Sequence, residues 1–439
     1  MRASVLFAVV TPWLCGALLA GCDGGSVSTH AARAVPAAGS QAVALGVRGG
    51  GRKPDSVPSC IGLGTGSFVG GGFENVADGA YSGVLEGNSN EVCDEESAVA
   101  GGYYNFISSG ANTSYYSFIG SGYDNSISGN GYQSVIGGGN VNALTAPNSV
   151  IGGGNENTLS GSDAVIAGGS QNSISSTGSY GSITGGSGNT NAGQAAVVGG
   201  NNDSITSAGT YSTIGGGNGN SISGRAAVIA GGAFSVAGGQ WATIPGGLAN
   251  TANGELSFAA GYSSNAAHAG AFVWSDTANG ATQLSSTAPN QFQARATGGF
   301  MLWTNASNTV GATLASGSGT WASASDRSMK TDVAQLDEAK VLDEVAKLPI
   351  TSWSYITERG VRHVGPMAQD FYAAFRVGAD DRHITSIDED GVALAAIKAL
   401  HAENASLRTR LAAVTDSQST MERELRQMRQ ELEALRAER

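Results

Sequence analysis

Ser134-Val-Ile-Gly-Gly-Gly-Asn-Val-Asn142 is one copy of a unit that recurs through the middle of this chain. Copies start at Ser67, Ser82, Ser97, Ser117, Ser134, Ser149, Ala164, Gly181, Ala195, Ser212, Ala227, Ala242 and Ser257, thirteen in all and most often 15 residues apart. The third residue is Val or Ile in every copy but the last, as in Val69, Ile136, Val197 and Ile244. The ninth is Asn in eleven copies, from Asn75 to Asn265. The eleventh, counting Ala, is apolar in all but one, with Ile107, Leu144, Leu159 and Ile222 among the larger examples.

Each unit predicts two short strands, one around the third position and one around the eleventh. β-branched residues favour strands and point to one side of the pleat. The Gly pair between them permits a bend with φ > 0. Asn tolerates left-handed backbone at a turn, and stacked asparagines can form a hydrogen-bonded ladder. A period of 15 is too short for a propeller blade or a helical repeat. The fold class expected is therefore mainly β: a parallel β-solenoid or β-roll over residues 67–269 with a thin Val/Ile core. The units resemble the heads of trimeric autotransporter adhesins, which carry S-V-A-I-G units of similar length. That resemblance implies a left-handed parallel β-roll in a trimer, although the spacing of 14 to 20 residues and the heavy use of Asn depart from it.

Composition limits what such a roll can do. Residues 67–324 hold 13 acids against two cations, Arg225 and Arg295, within a chain of net charge −12. That field repels phosphate backbones and argues against nucleic acid as a partner. Acids are scattered, as at Glu74, Asp124, Glu156, Asp163 and Asp203, so the facing carboxylate pair of a glycosidase is missing. A regular Asp for calcium is missing too, as is the Thr-x-Thr row of an ice-binding face. No metal or cofactor is expected. A structural or adhesive role remains, with a surface ligand or glycan as its partner. From Gly270 the pattern turns aromatic (Ala271-Phe-Val-Trp274-Ser-Asp276), and residues 270–324 are expected to form a β-rich neck.

The N-terminus carries Arg2, an apolar run from Val5 to Leu19, and then Leu19-Ala20-Gly21-Cys22. The last four residues resemble the lipobox of bacterial lipoproteins, whose signal is cut before the cysteine that then carries lipid. The resemblance implies a lipidated Cys22 after a signal at 1–22, a membrane partner through the acyl chains, and a place in the bacterial cell envelope on the inner or the outer membrane. Residues 23–66 read as a flexible tether. Cys60 and Cys93 are then the cysteines of the mature chain, and in an oxidising compartment they are expected to pair as a disulfide.

Composition breaks most sharply at Ser325-Asp326-Arg327-Ser328-Met329-Lys330, after which lie 16 of the 23 Lys and Arg. Several ordered motifs follow. They are Leu348-Pro-Ile-Thr-Ser-Trp353-Ser-Tyr355, His363-Val-Gly365-Pro366-Met-Ala368-Gln369-Asp370-Phe371, Asp388-x-Asp390-Gly391-Val392-Ala393 and Ala395-Ala-Ile-Lys-Ala-Leu400. Together with Ser325-Asp326-x-x-x-Lys330 they resemble the C-terminal intramolecular chaperone of phage endosialidases and tail fibres, classed as an S74-type self-cleaving peptidase. The resemblance implies a small α+β chaperone domain at 325–396 that assembles a homotrimer and then cuts itself off. It makes Ser325 the nucleophile and Lys330 its base, with Asp326 and His363 in support and Ser325–Asp326 as the bond cut. Lys330 must be neutral to accept the proton, so burial has to depress its pKa. Without the resemblance, Ser-Asp before a polar turn is usually a helix cap, and the tail is then a permanent clamp on an uncleaved stalk.

Residues 397–439 end the chain as a heptad helix. Ile397, Leu400, Asn404, Leu407, Leu411, Val414, Gln418, Met421, Leu425, Met428, Leu432 and Leu435 alternate steps of three and four. This predicts a coiled coil, trimeric by the resemblance above, with Asn404 and Gln418 at a positions fixing register.

Overall fold

The structure, a computed structural model, describes residues 64–108, 115–277 and 282–437. The signal segment, Cys22, most of the tether and Cys60 lie outside the described residues. The chain divides into two units, Met1–Ala322 and Ser323–Arg439.

The first unit is a parallel β-solenoid of about 13 turns. Each turn gives one short strand to a 16-stranded sheet that begins at Phe68–Val69, and another to a 14-stranded sheet that begins at Val76–Ala77. Stacking is in register, so Ile136 lies beside Ile151 and Ile151 beside Ile166, while Leu144 lies beside Leu159. These inward residues are fully buried and form one continuous core. Burying each Ile or Leu contributes roughly 1.5–3 kcal/mol. The outward residues of the two sheets differ in emphasis, although Ser182, Thr213 and Thr243 also lie on the first and Val76, Phe106 and Val236 on the second. Val135, Val150, Val165 and Val228 line the first sheet, and Ser126, Thr158, Ser173 and Ser204 the second. A third line of single parallel bridges runs from Phe73↔Asn88 to Ala233↔Leu248.

The asparagines form the ladder expected of them, and it is buried. Asn142 is typical. Its Nδ2 donates to Asn125 Oδ1 (2.9 Å) in the turn before and to Gly154 O (2.9 Å) in the turn after. Its Oδ1 accepts from both the N–H (3.1 Å) and Nδ2 (3.0 Å) of Asn157. This rung is therefore completed by its neighbours. The left-handed backbone, however, belongs to the residue before the rung, as in Val141 at φ 55. The glycine needed for close approach is Gly139 at φ +105, where a β-carbon would stand 2.2 Å from Gly154 O.

Two alignments shift by one residue. In the unit assigned to Ala195, the inward residue is Val198, beside Ile183 and Ile214, and Val197 faces out. Asp203 takes the rung. The loop from strand to rung is one residue shorter there, and a period of two turns a one-residue slip into a change of face. In the last unit the same shortening puts Ser264, not Asn265, on Asn250. Asn191, a polar residue in the column of Ile174 and Ile205, is satisfied by Ala196 O (2.8 Å) and the N–H of Gly193 (3.1 Å).

Parallel stacking continues beyond residue 269 through Phe272–Ser275 and Phe292–Arg295. There Phe258, Phe272 and Phe292 stack with ring centroids 4.4 and 4.7 Å apart. A separate three-stranded sheet of Gly299–Trp303, Gly311–Ala315 and Trp321–Ser323 follows. It leaves Met301, Trp303 and Trp321 exposed.

The second unit is small and mostly helical. Asp337 caps α1 (Glu338–Lys347), its carboxylate accepting from the Lys340 N–H. Thr351–Trp353 and His363–Gly365 make an antiparallel pair, followed by α2 (Ala368–Phe375) and α3 (Ser386–Ala437). Val341, Phe371, Val392 and Ala396 form its core, and Lys398 pairs with Glu338. α3 runs unbroken across 396/397, so the expected boundary there falls inside one helix. At 52 residues it is about 78 Å long. Its a and d residues from Ile397 to Leu435 are exposed in the single chain.

Asp203 is the flaw in the ladder. Its Oδ2 is buried without a partner, and burial raises its carboxyl above the ordinary range. A group that binds its proton more tightly when folded destabilises the fold above its raised pKa, and that penalty fades as the pH falls through it. Asp203→Asn is therefore expected to stabilise the solenoid by about 1–3 kcal/mol at pH 7. In thermal unfolding scans, its advantage over wild type should shrink as the pH is lowered toward the carboxylate range.

Candidate functional site

The site grows from one short turn. Arg327–Met329 form a 3-10 helix with Asp326 as its N-cap. One Asp326 oxygen accepts from both the N–H and the hydroxyl of Ser328, each at 2.7 Å. These bonds hold the Asp326 carboxyl below its usual range, the hydroxyl bond counting most. The turn brings the residue after it back over the residue before it. As a result Lys330 Nζ lies 2.7 Å from Ser325 Oγ.

The three residues expected to act together are thus together, in divided roles. Ser325 and Lys330 touch, while Asp326 shapes the turn that joins them. Lys330 donates to the hydroxyl here. To act as a base it must lose its proton and accept from Oγ instead. The burial expected to bring this about is not supplied by the single chain, in which Ser325, Asp326 and Lys330 are all exposed.

His363, expected in support, lies on the second strand of the hairpin. Its ring packs on Trp353 (centroids 4.9 Å apart) and Tyr355 (5.5 Å), and its Nε2 bonds Glu358 Oε2 at 3.3 Å. Its hydrogen bond therefore serves the hairpin rather than the dyad. Glu358 and Arg362, which clasps Ser352 O at 2.7 Å, are the hairpin residues that sequence reasoning missed. Their pairing depends on a strand register that no spacing rule announces.

Cys93 is disulfide-bonded, and Cys60, its expected partner, lies outside the described residues. Among the described residues, no cluster of three or more His, Cys, Asp or Glu is placed to hold a metal ion. No helix among them is long and apolar enough to cross a membrane.

Residues 325–377 match the family model of the S74 peptidase type, described as the chaperone of endosialidase. The match opens at Ser325 and takes in the Lys330 contact, the hairpin and α2. No curated protein matches the chain.

The aromatic packing of His363 sets an expectation for its variants. His363→Phe keeps a ring between Trp353 and Tyr355 and should unfold within a few tenths of a kcal/mol of wild type. His363→Ala should lose about 1 kcal/mol. Thermal unfolding followed by near-UV circular dichroism checks both.

Proposed function

We propose that this chain is an exported, lipid-anchored trimeric fibre or adhesin-like surface protein. Its C-terminal region drives trimer assembly and then cuts the chain once, beside Ser325. The observation that carries this reading is the 2.7 Å contact between Lys330 Nζ and Ser325 Oγ at the first residue of the matched region. Export and lipidation at Cys22 rest on the lipobox resemblance, and the Cys60–Cys93 pairing on the disulfide state of Cys93.

The homotrimer has three physical supports. Tail fibres with the matched region assemble as trimers. The a and d seam of α3 lies open along its length, as a coiled-coil strand does before its partners arrive. The outward valines of the first solenoid sheet, Val150, Val165, Val197 and Val228 among them, offer exposed apolar side chains to another copy.

The chemistry needs only groups of this chain and water. Neutral Lys330 takes the Ser325 Oγ proton as Oγ bonds to a carbonyl carbon. The C–N bond then breaks, Lys330 returns the proton to the leaving amine, and water hydrolyses the ester. Ring size limits which carbonyl Oγ can reach. Attack on its own carbonyl would close a four-membered ring, whereas attack on Ala324 closes a five-membered one. Cleavage at Ser325–Asp326 therefore uses the Ser325 hydroxyl of a neighbouring chain, or water. A reaction between chains also fits a dyad that lies exposed in the single chain.

A second reading has its own observation. Asp326 already works as a cap, and Ser325 and Lys330 are exposed. On that reading the dyad is inert and the tail is a permanent clamp on an uncleaved stalk. A denaturing gel of the exported protein separates the two. We expect two fragments from wild type, the smaller beginning at Ser325 or Asp326 by mass. Ser325→Ala, Lys330→Ala and Lys330→Arg should stay full length, with cleavage slowed at least about 100-fold. A wild-type chain that also stays whole favours the stalk.

A further inference from the structure

One corner of the solenoid carries aromatic side chains where the backbone disfavours them. Two residues before the first-sheet strand of a turn the backbone has positive φ, and in five turns the residue there is aromatic: Tyr81 (57°), Tyr116 (60°), Tyr180 (59°), Tyr211 (60°) and Trp241 (55°). Left-handed backbone crowds Cβ against the next carbonyl, so Gly or Asn suits the position. Other turns do use such residues there, Gly66 and Asn148 among them. The same backbone recurs where the corner residue is Glu96, Gln133, Asp163, Ala195 or Ala226, so it comes from the stacking, and what sets the five turns apart is the exposed ring.

The five rings are not buried by way of compensation. Their exposure runs from 45% for Trp241 to 67% for Tyr81. The corner is stacked turn on turn by backbone bonds, such as Tyr211 N–H to Gln194 O and Trp241 N–H to Arg225 O, both 2.9 Å. One turn separates Tyr81 from Tyr116 (at Glu96), Tyr180 from Tyr211 (at Ala195) and Tyr211 from Trp241 (at Ala226), and three separate Tyr116 from Tyr180. The rings therefore fall on a two-turn grid, a step of about 9.6 Å at the usual spacing between strands. That step is close to the length of two pyranose rings in an extended sugar chain. The intervening turns carry Glu96, Gln133, Asn148, Asp163, Ala195 and Ala226 at this corner, and the Arg225 guanidinium lies 5.5 Å from the centre of the Tyr211 ring. The solenoid's acidic charge disfavours an anionic chain.

We infer that this corner is a lengthwise binding track for a neutral, extended polysaccharide, its pyranose faces resting on Tyr81, Tyr116, Tyr180, Tyr211 and Trp241. The inference rests on the reading of the solenoid as the shaft of an exported trimer, but not on cleavage. The test is affinity electrophoresis of the full chain in native gels holding hydroxyethylcellulose, arabinoxylan, galactomannan or dextran, with alginate as the anionic counterpart. At least one neutral polysaccharide should retard the protein. A triple variant (Tyr180→Asn, Tyr211→Asn, Trp241→Asn) should bind at least tenfold more weakly, yet melt at the same or a higher temperature, because Asn relieves the strain. Trp241→Asn alone should weaken binding severalfold. Retardation by no neutral polysaccharide, by alginate only, or equally in wild type and both variants overturns the track. Light scattering on the same samples separates the two readings: a trimer that binds nothing removes the track, and a monomer that binds removes the trimer.

Discussion

A turn of this solenoid cannot satisfy its own buried polar groups. Asn142 needs Asn125 before it and Gly154 and Asn157 after it. The same holds for the backbone, whose strands pair only with the turns on either side. An isolated turn would leave an amide and several peptide groups buried without partners, at about 1–3 kcal/mol each. Growth from a formed turn is therefore easy, and starting the first one is hard. This resembles a helix, where nucleation is costly and propagation cheap. Here the nucleus is larger, and its exposed strand edges invite pairing with the wrong chain.

The second unit has what that difficulty calls for. Its core of Val341, Phe371, Val392 and Ala396 joins residues close in sequence through helices, which form quickly. Its 52-residue α3 exposes a seam suited to gathering copies of the chain. Held together, the copies meet at high effective concentration and in register. Once the solenoid is complete, the inner rungs are closed from both sides, Asp203 Oδ2 excepted, and the assembler is no longer needed for stability. The proposed cut beside Ser325 would then fix the result kinetically.

Much of the fold was legible because it is periodic. Val and Ile at the third position and apolar residues at the eleventh recur often enough to place both core columns and to suggest the Asn ladder. What escaped the sequence were single-residue changes of phase. Val197 and Val198 are equally good strand residues, and only stacking on Ile183 and Ile214 says which points inward. Asn265 matched the pattern, yet Ser264 occupies the rung. Asn was credited with the left-handed turn because its propensity permits it, whereas tertiary stacking gives that backbone to Val141 and to the aromatic corner residues. At the site, the spacing of Ser325 and Lys330 was readable and their contact is present. The surroundings of His363 were not, since Trp353, Tyr355 and Glu358 come together through a hairpin whose register is set by packing.

Refolding tests the central claim, that the tail builds the solenoid. The full chain and a chain ending at Ala324 would be denatured, diluted into buffer under identical conditions, and their soluble mass measured by light scattering alongside far-UV circular dichroism. The account predicts that the full chain recovers soluble trimer rich in β-structure, and that the shortened chain aggregates or stays unfolded. Equal recovery of native trimer by the shortened chain would contradict it.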